Sequence, residues 1–218
     1  MSELTLNDLA IREMSLLRDE LRSLKTCQFA FLTTAFTATG LLLGFVAKSI
    51  DPKYFDFVFL APLIVILPCF CFFFDKACTI TRIVGYYRVL EDRIGNGQFR
   101  GWENSLSDSR QKIEEMKIGF FDFIGRIISI RRPYGYWSLA FNTYVTLVII
   151  SILCACLYPY YMSNKIHWMA LLPALALSFF CIIRNLVILR NLMIGKNCYN
   201  NNYKKWKEIL EKSDTNQA

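Results

Sequence analysis

The chain has 218 residues, 54% of them hydrophobic and 15% aromatic, with one histidine, eight cysteines and a formal net charge of +7. The stretches 26–47, 57–74, 133–164 and 166–183 hold no Asp, Glu, Lys or Arg, which excludes a soluble globular domain: a helix rising about 1.5 Å per residue crosses the roughly 30 Å hydrocarbon core in such lengths. Four such runs imply four membrane-spanning helices, and the basic excess then needs no nucleic-acid partner to account for it, because contact with the anionic headgroups of a lipid bilayer suffices.

Taken in chain order, residues 1–26 read as a cytoplasmic amphipathic helix. Thr5 followed by Asp8 resembles a capping box, and Met14, Leu17, Leu21 and Leu24 recur at helical spacing. No Pro or Gly occurs before Gly40, so one helix is expected from about Asn7 to about Lys48, carrying the first span at 27–47. Asp51 and Pro52 mark an outside turn before the second span, 55–74, where Pro62 and Pro68 remove backbone donors and predict a kink. The period continues through Ile80, Ile83, Tyr87, Leu90 and Ile94 until Gly95, Asn96 and Gly97 end the helix. Two stripes, Met14, Leu17, Leu21 and Leu24 on one helix and Ile83, Tyr87 and Leu90 on the other, are thus expected side by side as an antiparallel coiled coil.

The cytoplasmic region 75–132 continues through a polar stretch, 98–104, to a second segment in which Ser105 and Asp108 repeat the capping pattern. Ile113, Met116, Phe120, Phe123 and Ile127 form its apolar face. Residues 118–130 are apolar but include Asp122 and Arg126 and are too short to span, so a helix lying at the interface is expected, with Arg131, Arg132, Tyr134, Tyr136 and Trp137 as headgroup anchors. The third span is placed at 137–161 and the fourth at 167–189, with Pro173 inside it. A tail, 190–218, turns at Gly195, Asn197, Asn200, Asn201 and Asn202, forms a short helix through Tyr203, Trp206 and Leu210, and is expected to be disordered from Ser213 to Ala218.

Lys and Arg number four before the first run, eleven in 75–132 and seven from Arg184 onward, against two and one in the short connections, so 22 of the 25 lie on one side. Basic segments stay in the cytoplasm during insertion. The expected product is an all-α protein of the inner (plasma) membrane: four spans in two hairpins, long helical cytoplasmic extensions, an interfacial helix and both termini in the cytoplasm. No apolar leader core precedes the first span, which is expected to serve as its own insertion signal. No cysteine falls in an outside connection, so a disulfide framework is not expected.

Three constellations stand out. Gly40 and Gly44 form a G-x-x-x-G pair, with Thr33 and Thr37 on the same face. Small residues let backbones approach in lipid. Packing against the second or third span is the simplest use of this face, with a contact between subunits or a pore-lining threonine row as the alternatives. Asn142 and Thr146, one turn apart in the third span, are the most polar pair at mid-helix and are expected to find partners inside the bundle, or to line a path. Arg184 and Arg190 are expected to reach toward lipid headgroups. No acid lies inside the runs, which argues against a proton relay or a secondary transporter. His167 sits at the outer end away from every cysteine, and no phosphate-binding glycine motif occurs. No catalytic, metal or cofactor site is therefore expected, and the chain does not read as an enzyme.

The stretch Asp75-Lys76-Ala77, Thr81-Arg82-Ile83, Gly85-Tyr86-Tyr87-Arg88-Val89-Leu90-Glu91 and Gly101-Trp102-Glu103 resembles a motif of uncharacterised bacterial four-span membrane proteins, in which a charged helix follows the second span and a Trp-Glu pair comes shortly after. The resemblance implies the architecture and no activity. In size and layout the chain is also similar to multi-span accessory proteins of bacterial immune systems, including the four-span accessory of type VI-B CRISPR loci, which implies an oligomeric membrane effector or regulator without naming residues. The expectation is a non-enzymatic homo-oligomer that perturbs or permeates the membrane in anti-phage defence, its cytoplasmic helices receiving a signal or a protein partner. The alternative is a membrane anchor or scaffold for a soluble complex.

Overall fold

The computed structural model describes residues 6–49, 55–95, 101–106, 125, 135–161 and 168–215. The protein is all-α, and no strand occurs among the described residues. The described residues include the helices α1 (Leu6–Ser49), α2 (Phe55–Leu60), α3 (Leu63–Gly95), α4 (Gly135–Tyr161), α5 (Trp168–Met193) and α6 (Tyr199–Thr215), and 102–106 form a short helical turn. Four stretches are long and apolar enough to cross a membrane, in α1, in α2 with α3, in α4 and in α5, which makes this a multi-pass membrane protein.

Several elements differ from the sequence reading, each for a local reason. The second span is two helices. Pro62 has no N–H and restricts Ala61 before it, so the chain turns through Ala61 N–H to Val58 O at 3.2 Å and Ile64 N–H to Ala61 O at 3.1 Å before the regular ladder restarts. Pro68 is tolerated inside α3. Gly195 and Asn197 lie in a turn as expected, whereas Asn200, Asn201 and Asn202 lie in the first turn of α6, where two of their side chains satisfy carbonyls of the preceding bend: Asn201 Nδ2 donates to Gly195 O at 2.9 Å and Asn202 Nδ2 to Asn197 O at 3.2 Å. The helix then runs to Thr215, beyond Ser213, the expected start of disorder. The interfacial helix with its apolar face from Ile113 to Ile127, the anchors from Arg131 to Tyr134, and His167 lie outside the described residues. Trp137 is buried, so it is no headgroup anchor, whereas Tyr136 stays exposed.

The described residues fall into two compact units. One holds 27–49, 55–75, 125, 135–161 and 168–189. Its core is aromatic: Phe70, Phe73 and Phe74 of α3 meet Phe141 and Tyr144 of α4, with Phe70 stacked on Tyr144 at 4.9 Å between ring centroids. A smaller cluster joins Phe59 of α2, Ala155 of α4 and Leu171 of α5. Two amides missed in the sequence reading are fully buried here. Gln28 of α1 donates to the Phe73 carbonyl at 3.0 Å, and Asn185 of α5 donates to the Cys181 carbonyl at 3.0 Å. Each removes an amide donor from hydrocarbon, where leaving it unpaired costs on the order of a few kcal/mol.

The other unit holds 6–26, 76–95, 101–106 and 190–215. Here α1 and α3 run antiparallel, with Leu21 and Leu24 packed on Ile80 and Val84 and flanked by Ile83 and Tyr199. Met14 and Leu17 are half-buried, Tyr87 and Leu90 buried. Toward the start of α1 the pairing turns polar: Arg18 Nη2 donates to the Tyr87 hydroxyl at 3.1 Å, and the Tyr86 hydroxyl donates to Glu13 Oε1 at 2.8 Å.

Candidate functional site

Along α3 the apolar phase Ile80, Val84 continues into Arg88 and Glu91, so two charged side chains occupy positions that helical spacing reserves for the core. Both are buried, at 6% and 5% exposure. Buried charges are tolerated only when hydrogen-bonded, and the surrounding chain supplies the partners.

Arg88 is held from three directions. Its Nε donates to Asn104 Oδ1 at 3.1 Å, its Nη1 donates to Asn200 Oδ1 at 3.1 Å, and its guanidinium lies 4.5 Å from the centre of the Tyr203 ring. Asn104 answers with its own amide, Nδ2 donating to the Arg88 carbonyl at 3.0 Å and to Asp92 Oδ1 at 2.9 Å. Tyr203 closes the ring of contacts by donating to Asp92 Oδ2 at 2.6 Å. Burial, reinforced by that carboxylate, pushes the Tyr203 phenol up to about 12.

Glu91 caps a helix to which it does not belong. Residues 102–106 are helical, and the free N–H groups of Asn104 and Glu103 donate to the Glu91 carboxylate at 3.1 and 3.4 Å. Ser105, expected as an N-cap, is inside this turn, and its hydroxyl donates back to Gly101 O at 3.0 Å. Gly101 occupies the capping position without a side chain because a Cβ there would coincide with the Glu91 carboxyl. Desolvation raises the Glu91 carboxyl above its ordinary range, against the lowering effect of the two N–H groups.

The third segment of the junction is α6. Gly85 of α3 faces its first turn so closely that a Cβ would sit 2.8 Å from Asn202 Cβ and 2.9 Å from the Tyr203 nitrogen. Trp206 then donates to the Arg82 carbonyl at 3.1 Å and packs on Tyr86 at 5.0 Å. A small cleft of about 150 Å³ remains between Asp92, Arg93, Tyr203, Lys207 and Glu211. No group of three metal-ligating side chains occurs among the described residues. Chemically it is a junction that welds α3, 101–106 and α6 together through buried charge.

The residues singled out from the sequence lie elsewhere. Thr33, Thr37, Gly40 and Gly44 are exposed on α1, and a Cβ at either glycine would meet nothing within 4 Å. Among the described residues nothing packs on either glycine, and α1 packs through Gln28, Phe31 and Ala35 on the opposite side, where Phe31 stacks on Phe72 at 5.8 Å. Asn142 is half-buried and Thr146 exposed on α4, while the buried face of that helix runs through Ser138, Phe141, Tyr144 and Val148.

Arg184, expected to reach for headgroups, instead pairs with Asp75 across α5 and α3 at 2.9 Å. Both side chains are more than a third exposed, so Asp75→Asn is expected to cost no more than about 1 kcal/mol, read as a small drop in the unfolding temperature of the detergent-solubilised protein.

Compared with protein-family models, curated proteins and solved structures, the chain matches none.

Proposed function

We propose that the protein is a non-enzymatic bacterial inner-membrane protein that self-associates through its spans, an effector or accessory whose cytoplasmic helical unit receives a signal and whose spans perturb the membrane. The observation that carries this reading is the open face of α1. Only 17% of its most apolar stretch is buried, against 50% for the second span, and the exposed side combines the small residues Thr33, Thr37, Gly40 and Gly44 with Phe29 and Phe36. Helices associate in lipid by backbone approach at small residues, and a face that no span of its own chain covers is available to a second copy. The basic excess around the described charged unit supports its placement in the cytoplasm.

The test replaces Gly40 and Gly44 together by leucine. A Cβ at either position meets nothing within 4 Å among the described residues, so the fold is expected to persist while self-association in nanodiscs or mild detergent weakens tenfold or more, a factor that corresponds to about 1.4 kcal/mol. A dissociated variant that no longer depolarises liposomes or cells supports the effector reading. An assembly unchanged by the double substitution, or a monomeric wild type, counts against it.

The anchor or scaffold reading has its own support: Leu9, Ile11 and Leu16 on α1 and Trp102 are exposed in the charged unit, an apolar surface suited to a soluble protein partner. A monomer that leaves membrane potential intact would favour it.

A further inference from the structure

Between α2, α3 and α5 runs an apolar groove of about 640 Å³, walled by Leu60, Leu63, Leu67, Ala170, Ala174 and Leu177. Ile64 and Leu177 on its walls are 77% and 55% exposed, so it is open along one side. Its lining carries two thiols, Cys71 and Cys181. They face each other from α3 and α5 with the Cys71 S–H directed at Cys181 Sγ, 4.0 Å away. Asn185 holds the pair from behind: its Nδ2 donates to Cys71 Sγ at 3.7 Å and to the Cys181 carbonyl at 3.0 Å. Both cysteines are free thiols.

We infer that Cys71 and Cys181 form a redox site, a dithiol that a lipid-soluble two-electron oxidant of the quinone class converts into a disulfide joining α3 to α5. From 4.0 Å the sulfurs have to close by about 2 Å to reach disulfide bond length. The groove that leads to the pair is lined by apolar side chains, which admits an uncharged ring, and the Arg184 guanidinium also hydrogen-bonds Cys71. The step balances without another reactant. Two S–H bonds break and one S–S bond forms; the two electrons and two protons reduce the quinone carbonyls to the hydroxyls of the quinol. The bond would clamp two helices that otherwise meet at this level through soft contacts and the exposed Asp75–Arg184 pair.

The experiment uses the full-length protein, reduced, freed of reductant under inert gas and reconstituted in lipid nanodiscs, with a fully ring-substituted ubiquinone analogue as the probe. Such a ring has no open position for thiol addition. The expected result is a Cys71–Cys181 cross-linked peptide by mass spectrometry and quinol formed in equimolar amount. Cys71→Ser and Cys181→Ser each lose both signals, and Cys69→Ser, altered two residues away on α3 but off the pair, keeps them. Wild-type thiols that stay open to alkylation after quinone overturn the inference without recourse to any variant. So does quinol formation that survives Cys71→Ser, or a cross-link that appears with hydrophilic disulfide reagents and not with the quinone.

Discussion

Gly85→Leu is expected to detach α6 from α3. A Cβ at this position meets Asn202 Cβ at 2.8 Å, and the Asn202 carbonyl carbon and Tyr203 nitrogen at 2.9 Å. Two of the three are backbone atoms, so no rotamer change relieves the clash and the helix itself has to move. What it leaves behind is specific: the Asn200 bond to Arg88, the Tyr203 bond to Asp92 and the Trp206 bond to the Arg82 carbonyl all originate on α6. Overpacking of a tight contact costs about 1–3 kcal/mol, and a buried Arg88 that loses one acceptor adds to it. The measurement is limited trypsin digestion, because Lys204, Lys205 and Lys207 are exposed on α6 but held in a helix while it is docked. Cleavage there is expected to accelerate strongly in the variant and to stay slow in Gly40→Leu, where the added side chain meets open space. Equal digestion of Gly85→Leu and wild type would show that α6 does not depend on this contact.

The spans were legible because hydrocarbon excludes charge, a constraint that writes itself as a gap in the distribution of Lys, Arg, Asp and Glu whatever the neighbours are. The long reach of α1 was legible for a similar reason: no helix breaker interrupts it. The polar partners were not legible. Whether Arg184 meets lipid or Asp75, and whether Glu91 faces water or the open N–H groups of 102–106, depends on the rotation of each helix and on which segment returns to it. Spacing within one segment carries no such information. The same holds for Gly40 and Gly44: a small-residue face announces close approach but not by what, and in this chain Gln28, Phe31 and Ala35 turn the other side of α1 inward. One signal was available and passed over. Arg88 and Glu91 fall in phase with Ile80 and Val84, and a charge in the apolar phase of an otherwise regular helix marks a position that must find buried partners.

That carboxylate makes the charged unit sensitive to pH, with a sign that follows from its burial. Desolvation, the largest influence, raises the Glu91 carboxyl, the N–H groups of Asn104 and Glu103 oppose it, and the nearby carboxylates of Glu103 and Asp92 raise it further. A group raised in the folded state binds its proton more tightly folded than unfolded. Its contribution is fully present below the unfolded value, near pH 4.5, and is lost as pH rises through the folded value. Thermal unfolding of the detergent-solubilised protein is therefore expected to show a stability loss with rising pH across that window, and Glu91→Gln, which cannot ionise, is expected to flatten it. Glu91→Ala removes the acceptor altogether and leaves the Asn104 and Glu103 N–H groups and the Asn104 amide short of a partner, at a cost of roughly 1–3 kcal/mol at any pH. Gly101→Ala separates the two effects. Its methyl occupies the place of the carboxyl, so Glu91 is pushed toward water, its proton affinity relaxes to the ordinary carboxylate range, and the pH slope disappears as in Glu91→Gln, while the uncapped helix loses stability as in Glu91→Ala. A Gly101→Ala protein that retained the wild-type slope would mean that the titrating group lies elsewhere and that Glu91 is only a cap.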